Sequence, residues 1–226
     1  MDARLSAQIS VVIPTLNEAR GIGGALGALA PLRERGHEVI VADGGSTDDT
    51  VRLARPLCDR VVECPRGRAR QMNAGARAAS GDALLFLHAD TRLPVDADAM
   101  IFEALRRFAW GRFDVHIEGS HPMLRVVGCA MSLRSRLTGI ATGDQAIFVR
   151  RSAFAGFPEI ALMEDIAFSA AMKRRARPAC LRSRVTTSGR RWEARGVLRT
   201  IFLMWRLRLL YFLGAAPDRL ARLYDA

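Results

Sequence analysis

The sequence predicts an α/β fold in which a mostly parallel central sheet carries helices on both faces. Short, β-branched apolar runs alternate with helix-like stretches through the first half of the chain. The apolar runs are continuous, as expected for strands of βαβ units that are buried on both sides. With 226 residues, 50% of them hydrophobic, the chain is long enough for one such domain with a sizeable core.

Four strands are predicted in the first half. They cover ISVVIPT (9 to 15), EVIVAD (38 to 43), RVVE (60 to 63) and ALLFLHAD (83 to 90), with helix-like stretches at 19 to 32, 46 to 57 and 67 to 80. The strands end in or are followed by the polar segments PTLNE, DGGSTD, PRGR and HAD. Ligands bind beyond the carboxyl ends of strands in open α/β sheets, so we expect these segments to converge on one site.

The second half predicts fewer strands and longer helices. Amphipathic helices are expected at 96 to 109, 122 to 139 and 164 to 176, and strands at 110 to 119 and 144 to 151. The sequence contains no linker, repeat or low-complexity tract. We therefore expect a single domain, 1 to 226, with a ligand-binding half (1 to 95), a second half (96 to 195) and a C-terminal helical segment (196 to 226).

The segment 196 to 214 is the most apolar part of the chain and predicts a C-terminal apolar helix. Arg199, Arg206 and Arg208 interrupt it, and it is short for the ~20 residues of a transmembrane span. One prediction is a helix lying in a membrane interface, with Trp205 and Tyr211 at headgroup level. The other is a helix packed on the domain or on a second copy as a homodimer. The sequence leaves both open.

The charge balance predicts an anionic ligand. There are 34 basic and 23 acidic residues, a net charge of +11, which attracts phosphate esters, nucleic acid or an anionic membrane face. Nucleic acid is not an expected partner, because single-strand binding uses exposed aromatics, whereas here they stand mostly in apolar runs. A catalytically silent protein that binds a membrane surface or nucleic acid is the alternative to an enzyme.

The four cysteines and the N-terminus bear on location. The cysteines lie far apart, without the spacing of a zinc site. The first ten residues, MDARLSAQIS, lack the basic stretch and apolar run of a secretory signal. A cytoplasmic location is therefore expected, either free or at the inner membrane face.

Two of the polar segments suggest how a nucleotide would bind. In DGGSTDDT, two acidic residues would repel a phosphate at the helix start, but Asp43 could accept hydrogen bonds from a ribose hydroxyl or a base N–H. The alternative for Asp43 is ordinary turn chemistry. In PRGRARQMNAG, Arg66, Arg68 and Arg70 lead into a helix start, which suits a diphosphate. Their alternative is a solvated helix face.

Two acidic motifs suggest a metal and a base. Asp90 in HAD could hold Mg²⁺ or Mn²⁺ bridging to phosphate oxygens, with His88 as a second ligand or a hydrogen-bond partner of the nucleotide. Glu164 and Asp165 open a predicted helix, where a carboxylate could take a proton from an attacking hydroxyl. The alternatives are a structural strand end for HAD and favourable helix-dipole charge for the acidic pair.

Six motifs together resemble a known family. VVIPTLNEA, VADGGSTDDT, RGRARQMNAGA, LLFLHADT, GDQAIFVRR and MEDIAFS resemble, in this order and spacing, the family-2 glycosyltransferases of the GT-A fold, from about residue 9 to about residue 193. The sequence is similar in particular to a compact bacterial subgroup with HAD in place of the usual D-x-D motif. Some members of that subgroup carry the label arsenosugar biosynthesis glycosyltransferase.

The resemblance implies roles for individual residues. It assigns nucleotide-sugar binding, through the first half of the chain, to Pro14, Thr15, Asn17, Glu18, Asp43, Arg68, Arg70, His88 and Asp90. It places the donor sugar and acceptor in the second half, near Gly143, Asp144, Gln145, Arg191 and Trp192. It makes Asp165 the catalytic base with Glu164 beside it, and Asp90 the residue that holds the divalent cation, Mg²⁺ or Mn²⁺.

The implied chemistry is an inverting single displacement. An acceptor hydroxyl, of an acceptor that the sequence does not identify, attacks the anomeric carbon of a UDP- or GDP-linked sugar. Two departures from the family pattern limit this expectation. His88 replaces an acidic residue. Either metal binding is weaker as a result, or positive side chains take over part of the role of the metal. No Gln stands three residues before Arg191, so synthesis of long chains is not expected.

Overall fold

The computed structural model describes residues 7 to 225, so the first six residues of the predicted ligand-binding half and the last residue lie outside it. Within these residues eight strands form one sheet: β1 (Ile9–Thr15), β2 (Glu38–Asp43), β3 (Arg60–Glu63), β4 (Ala83–Phe86), β5 (Thr91–Arg92), β6 (Trp110–Glu118), β7 (Ile147–Arg150) and β8 (Ala179–Ser188). Their order across the sheet is β3-β2-β1-β4-β7-β6-β8-β5.

The helices of the described part are α1 (Ala19–Gly27), α2 (Ala30–Glu34), α3 (Thr50–Ala54), α4 (Arg68–Ala78), α5 (Ala97–Arg107), α6 (Met123–Thr138), α7 (Glu164–Arg175), α8 (Arg190–Arg195), α9 (Val197–Phe212) and α10 (Pro217–Asp225). Short 3₁₀ turns lie at Arg55–Leu57, Gly143–Gln145 and Arg151–Ala153. The stretch 19 to 32, predicted as one helix, forms α1 and part of α2, and the stretch 46 to 57 becomes helical only at Thr50.

The prediction of an α/β fold is confirmed, and the sheet is mixed. Strands β1 to β4 pair in parallel as β3-β2-β1-β4. Beyond them, β7 runs antiparallel to β4 and β6 antiparallel to β7. Strand β8 is parallel to β6 and antiparallel to β5. The parallel half contains the βαβ units that the continuous apolar runs indicated.

Two apolar layers cover the sheet, one on each face. In β1, Val11 and Ile13 pack with Ile22 and Leu26 of α1, whereas Val12 packs on the opposite face with Met72 of α4. Successive side chains of a strand point to opposite faces, so a run of apolar residues fills both layers. The parallel strands are therefore sandwiched between helices, and their carboxyl ends stay open to the loops.

The sheet differs from the predictions at several places: β5 and β8 were not predicted, β4 ends earlier than expected, and β7 begins at Ile147 and not at residue 144. Strand β4 ends at Phe86, and His88 to Asp90 form a turn in which Thr91 N donates to His88 O over 3.0 Å. Strand β8 was missed, because its sequence ACLRSRVTTS carries arginines and threonines and only part of it is buried. A polar strand that lies towards one side of the sheet lacks the continuous apolar run by which the others were recognised.

Helix α9 packs on the domain through one face. Leu207 is fully buried in a small cluster with Met163, Ile166 and Leu220. Among the residues described, no helix combines the length and apolar character that crossing a bilayer requires.

A glycine lets α4 approach β1 closely. A Cβ built on Gly75 would overlap Val12 Cγ1 on the buried face of β1. The missing side chain sets the distance between helix and strand, and thereby places the start of α4 beside the carboxyl ends of β1 and β2.

We expect Gly75→Ala to destabilise the protein by about 1–3 kcal/mol, because the added methyl group forces a shift in a packed core. The matched control is Gly24→Ala in α1, where nothing lies within 4 Å of an added Cβ. That change should stabilise the protein by about 0.5–1 kcal/mol, since alanine is the better helix former. Urea denaturation of the three proteins measures both effects, and equal loss of stability in both variants would contradict the packing argument.

Candidate active site

The loops after β1 and β2 are joined by hydrogen bonds. Asn17 adopts a left-handed backbone conformation (φ 54°), and its backbone N–H donates to Ser46 Oγ over 2.9 Å. Its side-chain oxygen accepts from the backbone N–H of Thr47, also over 2.9 Å. The backbone N–H of Glu18 donates to Thr50 Oγ1 over 2.7 Å. The predicted nucleoside loop is therefore held in one conformation by the loop that follows β2.

Asp43 closes its own turn. Its Oδ2 accepts hydrogen bonds from the backbone N–H groups of Gly45 and Ser46 (2.9 and 2.8 Å), and its Oδ1 accepts from the hydroxyls of Ser46 and Thr15 (2.6 and 3.3 Å). The residue is only 2% exposed. Both carboxylate oxygens thus accept hydrogen bonds within the chain. Thr15 is buried as well, and Pro14 is partly exposed.

Gln71 ties α4 to the strand ends, although no sequence pattern singled it out. Its amide Nε2 donates to the backbone carbonyls of Thr15 (2.6 Å) and Ala42 (3.0 Å). A Cβ on Gly44 would lie 2.9 Å from the Gln71 side chain, so any larger residue there would have to displace the Gln71 amide. The helix start with Arg68 is thereby fixed beside the first two strands.

His88 lies across from the turn that precedes β7. Its Nδ1 is 3.4 Å from Asp144 Oδ1, and a Cβ on Gly143 would come within 2.5 Å of its Nε2. Gly143 therefore makes room for the imidazole. Burial alone would raise the pKa of Asp144, but His88, with Arg68 and Arg191, holds it below its ordinary value. The histidine of HAD is thus joined to the GDQ turn.

The acidic pair faces His88 at the start of α7. Met163, in a left-handed conformation (φ 72°), precedes Glu164, which is 2% exposed and accepts a hydrogen bond from Arg68 Nη1 over 3.3 Å. A small cavity joins these groups, and it is lined by Arg68, Met72, Phe86, His88, Gly143, Ile147, Phe157, Glu164 and Asp165. Burial, and secondly the charge of Asp165, raise the pKa of Glu164, and Arg68 opposes the shift.

Asp165 is the more accessible of the two carboxylates. Its Oδ2 accepts from the backbone N–H of Gly143 over 3.0 Å and its Oδ1 from that of Ile166 over 2.7 Å. Each oxygen keeps a free lone pair, and the side chain is partly exposed. This carboxylate is held in place by two backbone donors while staying open to the cavity.

Arg134 of α6 is a further residue that the sequence did not indicate. Its Nε and Nη2 are buried without a hydrogen-bond partner within the described part of the chain. Burial lowers the pKa of Arg134 below its ordinary value, and the charge of Arg112 acts in the same direction. The charges of Asp165 and Asp144 oppose this shift without reversing it. Unpaired buried donors this close to the acidic groups are free to bind an oxygen of a ligand. A single arginine inside an amphipathic helix carries no signal of this in the sequence.

Four further predicted residues, which do not line the cavity, make their contacts elsewhere in the chain. Arg70 pairs with Glu159 on the surface, 3.4 Å apart. Gln145 is fully buried. Its Oε1 accepts a hydrogen bond from the backbone N–H of Thr142 and its Nε2 donates to the backbone carbonyl of Phe113, so the side chain does not reach the cavity. Trp192 packs against the apolar core. Arg191 donates to Glu18 Oε1 over 3.1 Å and so links α8 to the first loop.

The carboxylate oxygens of Asp90 are available to coordinate a cation. Its carboxylate makes one side-chain contact, with the hydroxyl of Thr91 at 3.5 Å. No group of three or more histidine, cysteine or acidic side chains suitable for a metal occurs among residues 7 to 225. A cation at Asp90 would therefore need oxygens of a ligand or of water, and Mg²⁺ often uses one carboxylate together with substrate phosphates.

Comparison with known families decides the assignment of the chain. The model of the family described as Glycosyl transferase family 2 matches residues 10–164, more than half of the sequence. This chain belongs to glycosyl transferase family 2. A PGL/p-HBAD biosynthesis glycosyltransferase of Mycobacterium tuberculosis is 36% identical to this family-2 chain over 98 residues, which cover 40% of the chain and 38% of the relative. The match therefore spans well under half of that relative.

Solved structures share the fold of this family-2 chain. The mannosyltransferase PcManGT from Pyrobaculum calidifontis, in complex with GDP-Man and Mn²⁺, aligns with TM-score 0.66 and 22% identity over 96% of this chain and 69% of that one. TarS of S. aureus in complex with UDP-GlcNAc aligns with TM-score 0.62 and 21% identity over 80% and 58%. Glucosyl-3-phosphoglycerate synthase from Mycobacterium tuberculosis, with Mg²⁺ and UDP, gives 0.59 and 21% over 82% and 71%. The fold of the chain is the GT-A type.

We expect Glu164→Gln to raise the melting temperature at neutral pH. The raised pKa means that the native state binds the Glu164 proton more tightly than the unfolded state does, so its ionisation costs stability as pH rises. The amide removes that cost, and the half-exposed Arg68 can turn to water.

The gain should disappear below the ordinary pKa of a glutamate carboxyl, where wild-type Glu164 is protonated in both states. Glu103→Gln serves as the control, because this exposed carboxylate pairs only with Arg106 on the surface and should leave the melting temperature unchanged. Melting curves recorded between pH 4 and pH 8 test the prediction. A gain that is the same at every pH would contradict it.

Proposed function

We propose that this chain is an inverting glycosyltransferase that moves a sugar from a nucleoside-diphosphate sugar to an acceptor hydroxyl. The observation that carries the proposal is the cavity in which Asp165, Glu164, Arg68 and His88 meet beyond the carboxyl end of β4, in a chain of family 2. A partly exposed carboxylate, a basic side chain at a helix start and a rigid pair of loops are the groups that transfer from a nucleotide-sugar requires.

The donor is proposed to bind along the first two loops. The backbone of Asn17 and Glu18 is fixed there, and Arg68 stands where the α4 N-terminus offers free N–H groups to a diphosphate. The similar structures contain UDP, UDP-GlcNAc and GDP-Man, which supports a UDP- or GDP-linked donor. Asp43 and Gln71 contribute by holding this edge of the site rigid.

A divalent cation at Asp90 fits the residues present. Its carboxylate is almost free of other contacts, and Mg²⁺ and Mn²⁺ accompany nucleotides in similar structures. When bound, the cation would neutralise charge on the diphosphate of the departing nucleotide. The Nδ1 of His88 lies 3.4 Å from Asp144 Oδ1, and its Nε2 is buried beside Gly143 without a hydrogen-bond partner among the described residues, so we assign His88 to the lining of the cavity and not to the metal.

Asp165 is proposed as the base. It would accept the proton of the acceptor hydroxyl while that oxygen forms a bond to the anomeric carbon and the bond from this carbon to the diphosphate breaks. Glu164 is less suited, because it is buried and its carboxylate accepts a hydrogen bond from Arg68, which holds it away from the acceptor. Inversion follows from a single displacement with one base.

We expect Asp165→Asn to lower the rate of sugar transfer by about 10²–10⁴-fold, because the amide cannot accept the proton. Nucleotide binding should stay nearly unchanged, since Asp165 faces the acceptor. Asp218→Asn, an exposed aspartate in the first turn of α10, is the control and should keep full activity. Release of nucleoside diphosphate measures the rate. Wild-type activity in Asp165→Asn would assign the base to another residue.

Binding of UDP or GDP should stabilise the native state by about 2.7 kcal/mol when the nucleotide concentration is ~100 times Kd, and this stabilisation raises the melting temperature. Mn²⁺ should strengthen the effect, and Asp90→Ala should abolish the metal dependence while preserving some binding. The control Asp82→Ala removes an exposed aspartate just before β4, at the opposite end of that strand. The proposed function fails if no nucleotide stabilises the protein, and the metal assignment fails if Asp90→Ala responds to Mn²⁺ as the wild type does.

A further inference from the structure

An apolar stripe runs along the outer face of α9. Leu198, Phe202, Trp205, Leu209 and Phe212 are 57–71% exposed. They follow one another at intervals of four, three, four and three residues, which places all five on one face of the helix. Scattered exposed apolar residues are normal, but a continuous stripe of five large side chains marks a binding surface.

The opposite face of α9 is already used. Leu207 is fully buried there, and its cluster contains Met163 and Ile166, the residues that flank Glu164 and Asp165. The helix therefore cannot turn its stripe inward without leaving the core. The stripe points away from the domain as a consequence of how the inner face packs.

Arginines border the stripe on both sides. With 3.6 residues per turn, Arg199 and Arg206 fall along one border and Arg208 along the other. Arg199 and Arg206 are exposed. Helix α9 contains no acidic residue, and the whole chain carries a net charge of +11. The surface thus combines large apolar side chains, an exposed tryptophan, two exposed arginines on one border and the partly buried Arg208 on the other.

We propose that this stripe docks onto an anionic lipid surface. Helices that lie in a membrane interface bury an apolar face at the boundary of headgroups and acyl chains, while basic side chains beside it contact anionic headgroups. Arginine stems can lie along the apolar layer while their guanidinium groups reach the phosphates. The 16-residue length of α9 suits a helix lying in the surface and is short for a span.

A second copy of the chain fits the stripe less well. In a two-fold dimer the same patch faces itself, so α9 would lie against α9. The arginine borders of one helix would then face arginine borders of the other, and α9 has no acidic side chain to compensate them. Anionic headgroups supply the missing negative charge, which is why we favour the membrane.

The test is sedimentation of the full chain with vesicles. We expect binding to vesicles of phosphatidylcholine with about one third phosphatidylglycerol, at least tenfold weaker binding to pure phosphatidylcholine, and weakening at high salt. On binding, the fluorescence of Trp205 should shift to shorter wavelength. The double substitution Phe202→Ser with Trp205→Ser should abolish binding, and Arg206→Glu should weaken it severalfold.

Val95→Ser is the matched control, since Val95 is 82% exposed but lies outside α9. It should bind vesicles as the wild type does. Melting temperatures of all variants should agree, because the substituted side chains are exposed. No binding to anionic vesicles, or full binding by the double variant, overturns the proposal. A dimer in solution that the double substitution converts to a monomer, without vesicle binding, would assign the stripe to a second copy instead. Donor binding does not enter these measurements, so they are independent of the proposed transferase activity.

Discussion

The site depends on one buried carboxylate, Glu164, and on Arg68, the cation that pairs with it among the described residues. Glu164 has lost nearly all contact with water, which costs several kcal/mol for an ion in the interior, and Arg68 offsets part of that cost. Arg68 starts α4 in the parallel half, whereas Glu164 starts α7, 96 residues further along. The ion pair therefore joins the two halves at the point where the cavity forms. Its geometry relies on Gly75 and Gln71, which place α4 against the strand ends.

The parallel half of the fold could be predicted because β1, β2 and β4 are buried on both faces, and because the more exposed β3 still carries a pair of valines. Continuous apolar runs such as EVIVAD are typical of strands covered by helices on either side, and β1 to β3 begin and end where the sequence indicated. Strand β8 could not be found in this way. It is half-exposed and carries arginines, so its pairing with β6 comes from tertiary packing and not from its composition. The local sequence pattern likewise could not show that β7 runs antiparallel to its neighbours β4 and β6.

The candidate site was predicted in outline, and its detail depends on which polar groups are already satisfied. Sequence shows that Asp43 ends a strand, but not that four donors of its own turn and of β1 occupy both carboxylate oxygens. The same limit applies to Gln145, which is fully buried and hydrogen-bonded to Thr142 of its own turn and to the Phe113 carbonyl of β6. Conversely, the unpaired nitrogens of Arg134 emerge only once the fold buries them. Residue type and spacing identify candidates, and the hydrogen bonds show which of these polar groups are already satisfied within the chain.

In the C-terminal helix, too, the sequence pattern decides some features and the packing of the folded chain decides others. Helix α9 is apolar on nearly all sides, so its sequence cannot tell which face turns inward, and membrane contact and packing on the domain looked like alternatives. Packing on the domain and contact with a membrane are compatible in the structure, because Leu207 packs the inner face of α9 on the domain while Phe202 and Trp205 stay exposed on its outer face. The inner face rests on the residues beside Glu164 and Asp165. A surface that docks through the stripe would therefore lie one helix thickness from the turn that carries the proposed base.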